Sequence, residues 1–157
     1  YESFGLMKQK KAKALVERGK DIRQVAALPF RISDDGDLKV LLITSRGTRR
    51  FVIPKGWQMD GLKDWDAAAQ EAREEAGIKG EVRKKPIGEY QYWKRLKTAF
   101  VPINVAVYPL EVTGSMPRWR EAKQRRRGWV NWEDAKVLVD EPELISLIDE
   151  FASSVRK

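Results

Sequence analysis

The most regular pattern along the chain is a set of short apolar runs without alternating polar positions. Val25-Ala26-Ala27-Leu28-Pro29-Phe30 is one such run, and Val40-Leu41-Leu42-Ile43, entered from Lys39, is another. Runs of this length suit strands buried on both faces better than helices. Asp34-Asp35-Gly36-Asp37 between them is a turn signal, so the two are expected to form a hairpin. Phe51-Val52-Ile53 reads as a short third strand stopped by Pro54, and Lys55 to Lys63, with Gly56 and Gly61, reads as a loop.

The period then changes from strand to helix. Trp65, Ala68, Ala72 and Ala76 recur at helical spacing, which predicts a helix over Asp64–Ala76 with Asp64 as N-cap and Gly77 as stop. That side is small and apolar, so the helix can lie close to a sheet. Ile87–Trp93 and Thr98–Val112 are strand-like, and residues 113–127 read as a polar, basic loop. Gly128–Trp132 is a further short strand, and Glu133–Val155 carries one or two helices broken near Pro142. The expected fold is α+β, a mixed sheet with helices on both faces. Residues 1–21 form a basic N-terminal arm before a single domain over 22–157.

Composition narrows the chemistry. At 157 residues the chain fits one domain. No run of 18 apolar residues and no secretory signal is visible, so no membrane partner and a cytoplasmic location are expected. With no cysteine and no histidine, acid–base or metal chemistry must rest on Asp, Glu, Lys, Arg or Tyr. A net charge of +8 favours anionic partners; the basic arm reads as a solvated, partly helical segment or, on charge alone, as an arm for nucleic acid or a membrane surface.

Against that charge, the helix carries Glu71, Glu74 and Glu75 at i, i+3 and i+4, on an arc of about 100°. Neither Glu71 nor Glu74 has a Lys or Arg four residues away, and Glu75 has Lys79. Two readings follow. One is a solvated glutamate-rich face; the other is a set of oxygen ligands for Mg2+ or Mn2+.

The surrounding residues bear on that choice. Gly56-Trp57-Gln58-Met59-Asp60-Gly61-Leu62, seven residues, then Gln70-Glu71-Ala72-Arg73-Glu74-Glu75-Ala76-Gly77-Ile78 resembles the Nudix box, entered through Ile53-Pro54-Lys55. The resemblance implies an α/β/α sandwich and a pyrophosphohydrolase dependent on Mg2+ or Mn2+. It implies Glu71, Glu74 and Glu75 as catalytic, metal-holding residues, with Gly56 as a further ligand. Two positions depart from the pattern: Leu62 stands where the family has Glu, and Gln70 where it has Arg. The loss is of two charges together, which leaves neither one orphaned. Ala26-Ala27-Leu28 before Phe30-Arg31, Ser45-Arg46, and Arg125-Arg126-Arg127-Gly128-Trp129 before Glu133-Asp134-Ala135 are similar to the diphosphoinositol-polyphosphate and diadenosine-polyphosphate branch.

Cleaving a phosphoanhydride requires neutralised phosphate oxygens and an activated water. Without histidine, the base is a box glutamate or Glu121. Two basic segments flank the box, and Arg46, Arg50, Lys55, Arg125 and Arg127 are the expected phosphate-binding residues. Tyr90, Tyr92, Trp93, Trp119, Trp129 and Trp132 either stack a base or pack the core. The expected substrate is a phosphate-rich small molecule: a diadenosine or nucleoside polyphosphate, or a diphosphoinositol polyphosphate. The alternatives are an RNA 5′-pyrophosphohydrolase, with nucleic acid as partner, and a catalytically weak binding module of Nudix fold.

Overall fold

The computed structural model describes residues 22–155, and the basic arm read over 1–21 lies outside the described residues. The first hairpin forms as the pattern requires. β1 (Ile22–Ile32) pairs antiparallel with β2 (Leu38–Thr44), Phe30 opposite Val40. Ser33 N–H donates to Asp37 O at 2.9 Å and Gly36 N–H to Ser33 O at 2.8 Å, which closes the turn.

β1 is apolar throughout because it is covered on both sides. Val25 and Ala27 enter one core, and Ala26, Leu28 and Phe30 enter the other. Beside it runs β7 (Phe100–Ser115), parallel from Ile22 opposite Ile103 to Phe30 opposite Glu111. The other pairings are antiparallel, so the sheet is mixed. β3 (Phe51–Val52) and β8 (Arg127–Asn131) join β2, β4 (Lys55–Trp57) joins β1, and β5 (Ile78–Val82) and β6 (Gly88–Arg95) join β7.

Helix α1 (Asp64–Ala76) covers one face. Ala67, Ala68, Ala72 and Ala76 are fully buried against Val25, Ala27, Leu41 and Ile43. Side chains this small allow α1 to approach the sheet closely and bring its glutamates to the end of β4. The other face is covered by α2 (Trp132–Leu138) and α3 (Pro142–Val155), which pack larger residues. Leu144, Ile148 and Phe151 lie there, and the Phe151 ring meets Phe30 edge-on at 4.9 Å. The result is the expected α/β/α sandwich. Pro142 opens α3 at its first position, where a missing N–H costs nothing.

The structure differs from the sequence reading in four places. Lys55–Trp57 is a strand rather than loop. β2 pairs with β1 only at Phe30–Ile32, which leaves the edge at Gln24–Ala26 for β4. β5 is a strand that no pattern announced, since it is short, holds Gly80 and carries a bulge at Lys79/Gly80. β7 runs on to Ser115, into the segment read as loop, where β5 pairs with it. The N-cap of α1 is Lys63, not Asp64, and it makes no side-chain cap bond. Asp64 is instead the first helical residue, where its charge favours the positive helix end.

Candidate functional site

A helix ends with four carbonyls that lack partners within it. In α1 the first of the four is met by the C-cap glycine and the other three by donors from beyond the helix. Gly77 N–H donates to Arg73 O at 3.1 Å and Glu121 N–H to Glu74 O at 3.3 Å. Trp119 Nε1 donates to Glu75 O at 3.0 Å, and Arg127 Nη1 to Ala76 O at 2.8 Å. The segment between β7 and β8 is thus the C-terminal cap of the glutamate helix, and its cations complement the negative helix end. Gly77 makes this possible. It sits at φ +65°, and a Cβ there would lie 2.7 Å from the Trp119 ring and 2.8 Å from Arg127 Nη1.

The same cap delivers an acid to the glutamate face. Glu121 is buried, as are Glu71 and Glu75. Arg125 ties Glu121 to Glu75. Its Nε donates to Glu121 Oε1 at 2.8 Å, its Nη1 to Thr44 O at 3.1 Å, and its Nη2 lies 3.6 Å from Glu75 Oε2. Glu75 Oε1 accepts the Lys55 N–H at 3.3 Å. Burial pushes the Glu75 carboxyl above the usual range; Arg125 opposes this and the charge on Glu121 adds to it. Glu71 lies against β4, and any Cβ on Gly56 would fall inside its carboxylate. Glu74 faces the rim, where its Oε1 accepts from Gln70 Nε2 at 3.2 Å and Arg120 Nη1 at 3.3 Å.

The structure separates the expected phosphate-binding residues. Lys55 runs from Glu75 across the Tyr92 ring, 5.0 Å from its centroid. Burial lowers the pKa of its ammonium group, and Glu75 and Glu141 oppose that shift. Arg46 is half exposed, 3.8 Å from Glu121. With Ser45, Gly47, Arg49, Lys123 and Gln124 it lines an open pocket of about 450 Å³ on the Glu121 side of the site. Arg50 turns the other way, to Asp140 at 3.2 Å and Glu141 at 3.5 Å in the α2–α3 junction. Arg127 is held behind the site. Besides Ala76 O it donates to Gly77 O at 3.0 Å and Met116 O at 2.9 Å, with its guanidinium 4.0 Å from the centre of Trp119. The two unusual box residues also part company: Leu62 is exposed, while Gln70 holds Glu74. Trp119 serves the helix cap, and Trp129 carries Arg31 at 4.4 Å.

Among the described residues no three carboxylates converge on one point, because Glu74 and Glu75 lean on Arg120 and Arg125. The donors nonetheless fit a hard divalent cation. They are all oxygen, two of them are buried one turn apart, and Gly56 leaves the Glu71 carboxylate flush with the β4 backbone. Glu141 is a residue that sequence reasoning missed. It stands in the short acidic run Asp140-Glu141-Pro142-Glu143, and only the fold brings it to Arg50, 91 residues away in sequence.

No family model matches the chain. It is 32% identical over 143 residues to Nudix hydrolase 13, mitochondrial, of Arabidopsis thaliana, an alignment covering 79% of this chain and 70% of that protein. Nudix hydrolase 12, mitochondrial, of the same plant is 34% identical over 104 residues, and the chain spans 50% of its length. Diphosphoinositol polyphosphate phosphohydrolase 2 of Rattus norvegicus is 32% identical over 119 residues, covering 74% of this chain and 62% of that protein. The mitochondrial names give the cytoplasmic expectation no support, and no described helix is long and apolar enough to cross a membrane. Among solved structures, a C. elegans Ap4A hydrolase binary complex superimposes with a TM-score of 0.64 at 21% identity, covering 85% of this chain and 97% of that one. The fold is therefore shared with that enzyme. With a relative above 30% identity aligned over most of both chains, and the glutamates of the box gathered at the end of α1, the chain belongs to the Nudix hydrolases.

Proposed function

We propose that the protein hydrolyses a phosphoanhydride bond in a polyphosphorylated small molecule, with Mg2+ or Mn2+ held by Glu71, Glu74, Glu75 and Gly56. The observation that carries this reading is the buried Glu75–Arg125–Glu121 arrangement beside Lys55. The metal, when bound, neutralises phosphate oxygens and lowers the pKa of a water. The chain's own residues do the rest. Lys55 and Arg46 bind phosphate oxygens from opposite sides of the carboxylates. Arg125 holds Glu121 and Glu75 in place. Glu121 keeps Oε1 on Arg125 and takes the proton of the attacking water at Oε2. The pocket lined by Arg46, Arg49 and Lys123 takes the phosphates beyond the cleaved bond, more than a single diphosphate bridge supplies. Relatives named for diphosphoinositol polyphosphate and Ap4A hydrolysis agree with such a substrate.

Phosphate release from diadenosine tetraphosphate, a diphosphoinositol phosphate, ADP-ribose and 5′-triphosphate RNA, with Mg2+ and with excess EDTA, tests the reading. Turnover of the first two with Mg2+ alone is expected. Glu75→Gln or Glu74→Gln should lower it by roughly 10²–10⁴-fold while leaving the fold intact. Calorimetric titration of Mg2+ into both variants should show weakened binding. Undiminished activity in EDTA rejects the metal role, and preference for RNA selects the RNA 5′-pyrophosphohydrolase. Tight binding of these ligands without turnover would make the chain a binding module, a reading favoured by the neutral Leu62 and Gln70.

A further inference from the structure

Two aromatic side chains belong neither to the core nor to the site. Among the described residues Trp93 and Phe100 are the most exposed aromatics, at 64% and 63%. Both stand near the end of the β6–β7 hairpin. The register sets Trp93 opposite Pro102 and Arg95 opposite Phe100. Residues directly opposite share a face, as do alternate residues along a strand, so Trp93, Arg95, Phe100 and Pro102 form one surface. The same alternation carries it on to Gln91 and Asn104, where Gln91 Nε2 donates to Asn104 Oδ1 at 3.3 Å.

This surface is the open end of the sheet face that α1 covers. β7 gives Ala106, Tyr108, Leu110 and Val112 to the cluster under α1, and Phe100, Pro102 and Asn104 continue that row beyond it. Tyr92 and Lys94 project from the opposite face, where Lys55 crosses the Tyr92 ring and Lys94 lies 5.4 Å from the centre of Trp57. The exposed rings therefore look away from the Lys55 side of the site. The hairpin closes with Leu96 N–H donating to Ala99 O at 2.7 Å, which leaves the exposed Lys97 and Thr98 as its tip. From Tyr90 to Leu110 the chain has no Asp or Glu and three cations, Lys94, Arg95 and Lys97.

We propose that this face binds single-stranded nucleic acid, with bases stacked on Trp93 and Phe100 and phosphates held by Arg95 and Lys97. The proposal does not rest on the hydrolase reading. A ring on a sheet face stacks any base, and cations beside it track the backbone. Trp93 and Phe100 are diagonal neighbours, so each takes a base of its own. Gln91 and Asn104 present amide donors and acceptors to the base edges. A duplex keeps its base faces against one another and offers the rings nothing. Charge decides against other occupants. A second copy of this face, or the basic arm over 1–21, would set cations against cations. A bilayer would meet Lys97 and Thr98 first, whereas an element that enters lipid leads with its apolar side.

The test measures fluorescence anisotropy of a labelled single-stranded RNA of roughly 12 nucleotides on the full chain. The RNA carries a 5′-hydroxyl, so it brings no phosphoanhydride to the carboxylates. A duplex of the same sequence, and vesicles of about 30% phosphatidylserine in phosphatidylcholine, are run beside it. Trp93→Ala and Phe100→Ala should each weaken single-strand binding roughly tenfold, and Trp93→Phe should keep most of the affinity. Arg95→Ala should lower the slope of log affinity against log salt by about one. Duplex affinity, Tm and turnover of diadenosine tetraphosphate should stay at wild-type values in the ring variants. Wild type that does not bind the single strand overturns the proposal, as does unchanged affinity in Trp93→Ala/Phe100→Ala or an equal loss on the duplex. A loss confined to the vesicles would make the face a lipid contact. A lowered Tm in the double variant would mean that the folded chain itself covers the rings. Absence of turnover in wild type rejects the hydrolase reading and leaves this one standing.

Discussion

The two basic segments that flank the box look alike in sequence and are used in opposite ways. In the segment from Arg46 to Lys55, Arg46 and Arg49 are exposed and line an open pocket. In the segment from Arg118 to Arg127, the two arginines expected to bind phosphate point into the protein. Arg125 is 9% exposed and bridges Glu121 to Glu75, and Arg127 bonds three carbonyls around the end of α1. A guanidinium has five donors in a rigid fork, so it can close a helix end or tie two carboxylates as readily as it binds phosphate. The charge is the same in each role; what differs is which acceptors the fold has left unpaired. Arg46 and Arg49 leave their charge at an open pocket, whereas Arg125 and Arg127 are spent on holding the glutamate helix and its acids in place.

The largest effect is expected where that building role is removed. Arg125→Ala leaves Glu75 and Glu121 buried beside one another without their shared cation. Breaking a buried pair of this kind costs about 3–5 kcal/mol. Thermal unfolding should start roughly 10 °C lower, at about 2–4 °C per kcal/mol for a chain of this size. Turnover should be lost along with it. A variant with unaltered Tm and a raised KM would move Arg125 into the exposed class and break the contrast.

Arg127→Ala comes next. It removes three hydrogen bonds to carbonyls, two of them at the helix end, together with the stacking on Trp119, for about 2–3 kcal/mol. Arg127→Lys should recover less than half, because one ammonium cannot reach three carbonyls in the plane of the fork. Chemical denaturation of both variants checks this. A lysine variant as stable as wild type would mean that charge at the helix end is sufficient.

Much of this architecture is local enough to read from the chain. The β1–β2 hairpin and α1 follow from short-range pattern and turn chemistry. The three glutamates of α1 follow from spacing, and Glu121 stands out as the one acid among the cations from Arg118 to Arg127. What escapes is set by distant partners. β4 exists because β2 leaves part of the β1 edge free, and β5 because β7 offers it an edge from Leu110 to Ser115. Arg125 and Arg127 carry no local sign of burial, since their acceptors lie 50 or more residues away for all but Glu121 and Met116. Glu141 meets Arg50, 91 residues away, only through the packing of α3 on the sheet.

Lys55 stands between the two classes, because its main chain is held by Glu75 while its ammonium runs out over the Tyr92 ring. Burial lowers its pKa below the ordinary 10.5, so at pH 7 the folded state carries a charge it disfavours. Between the lowered value and 10.5 the unfolded chain binds more protons than the folded one, and stability rises with pH. Lys55→Met should therefore unfold at a higher temperature than wild type at pH 7, with the gap narrowing as pH approaches 10.5. Its KM for a tetraphosphate should rise about tenfold, the loss of one phosphate contact. A gap that widens with pH contradicts the burial argument, whatever happens to KM.

The smallest effects belong to Arg46 and Arg49, and there the contrast is sharpest. Arg46 is half exposed, and its approach to Glu121 at 3.8 Å is a surface pair worth about 0–1 kcal/mol. Arg49 lines the same pocket from a left-handed backbone at φ +54°, in a turn closed by Ser45 N–H donating to Arg50 O at 2.6 Å. Neither residue supports the core, so Arg46→Ala and Arg49→Ala should change stability by no more than about 0.5 kcal/mol. Both should raise KM for a tetraphosphate roughly three- to fivefold and leave KM for ADP-ribose nearer to wild type, because only the longer phosphate chain reaches this pocket. Exposed charges are screened beyond about 8 Å at physiological ionic strength. The difference between wild type and either variant should therefore shrink as salt is raised from 50 to about 500 mM, whereas the stability loss in Arg127→Ala should persist. A KM difference that ignores salt, or a Tm shift as large as that of Arg127→Ala, would place these two arginines with the builders of the site.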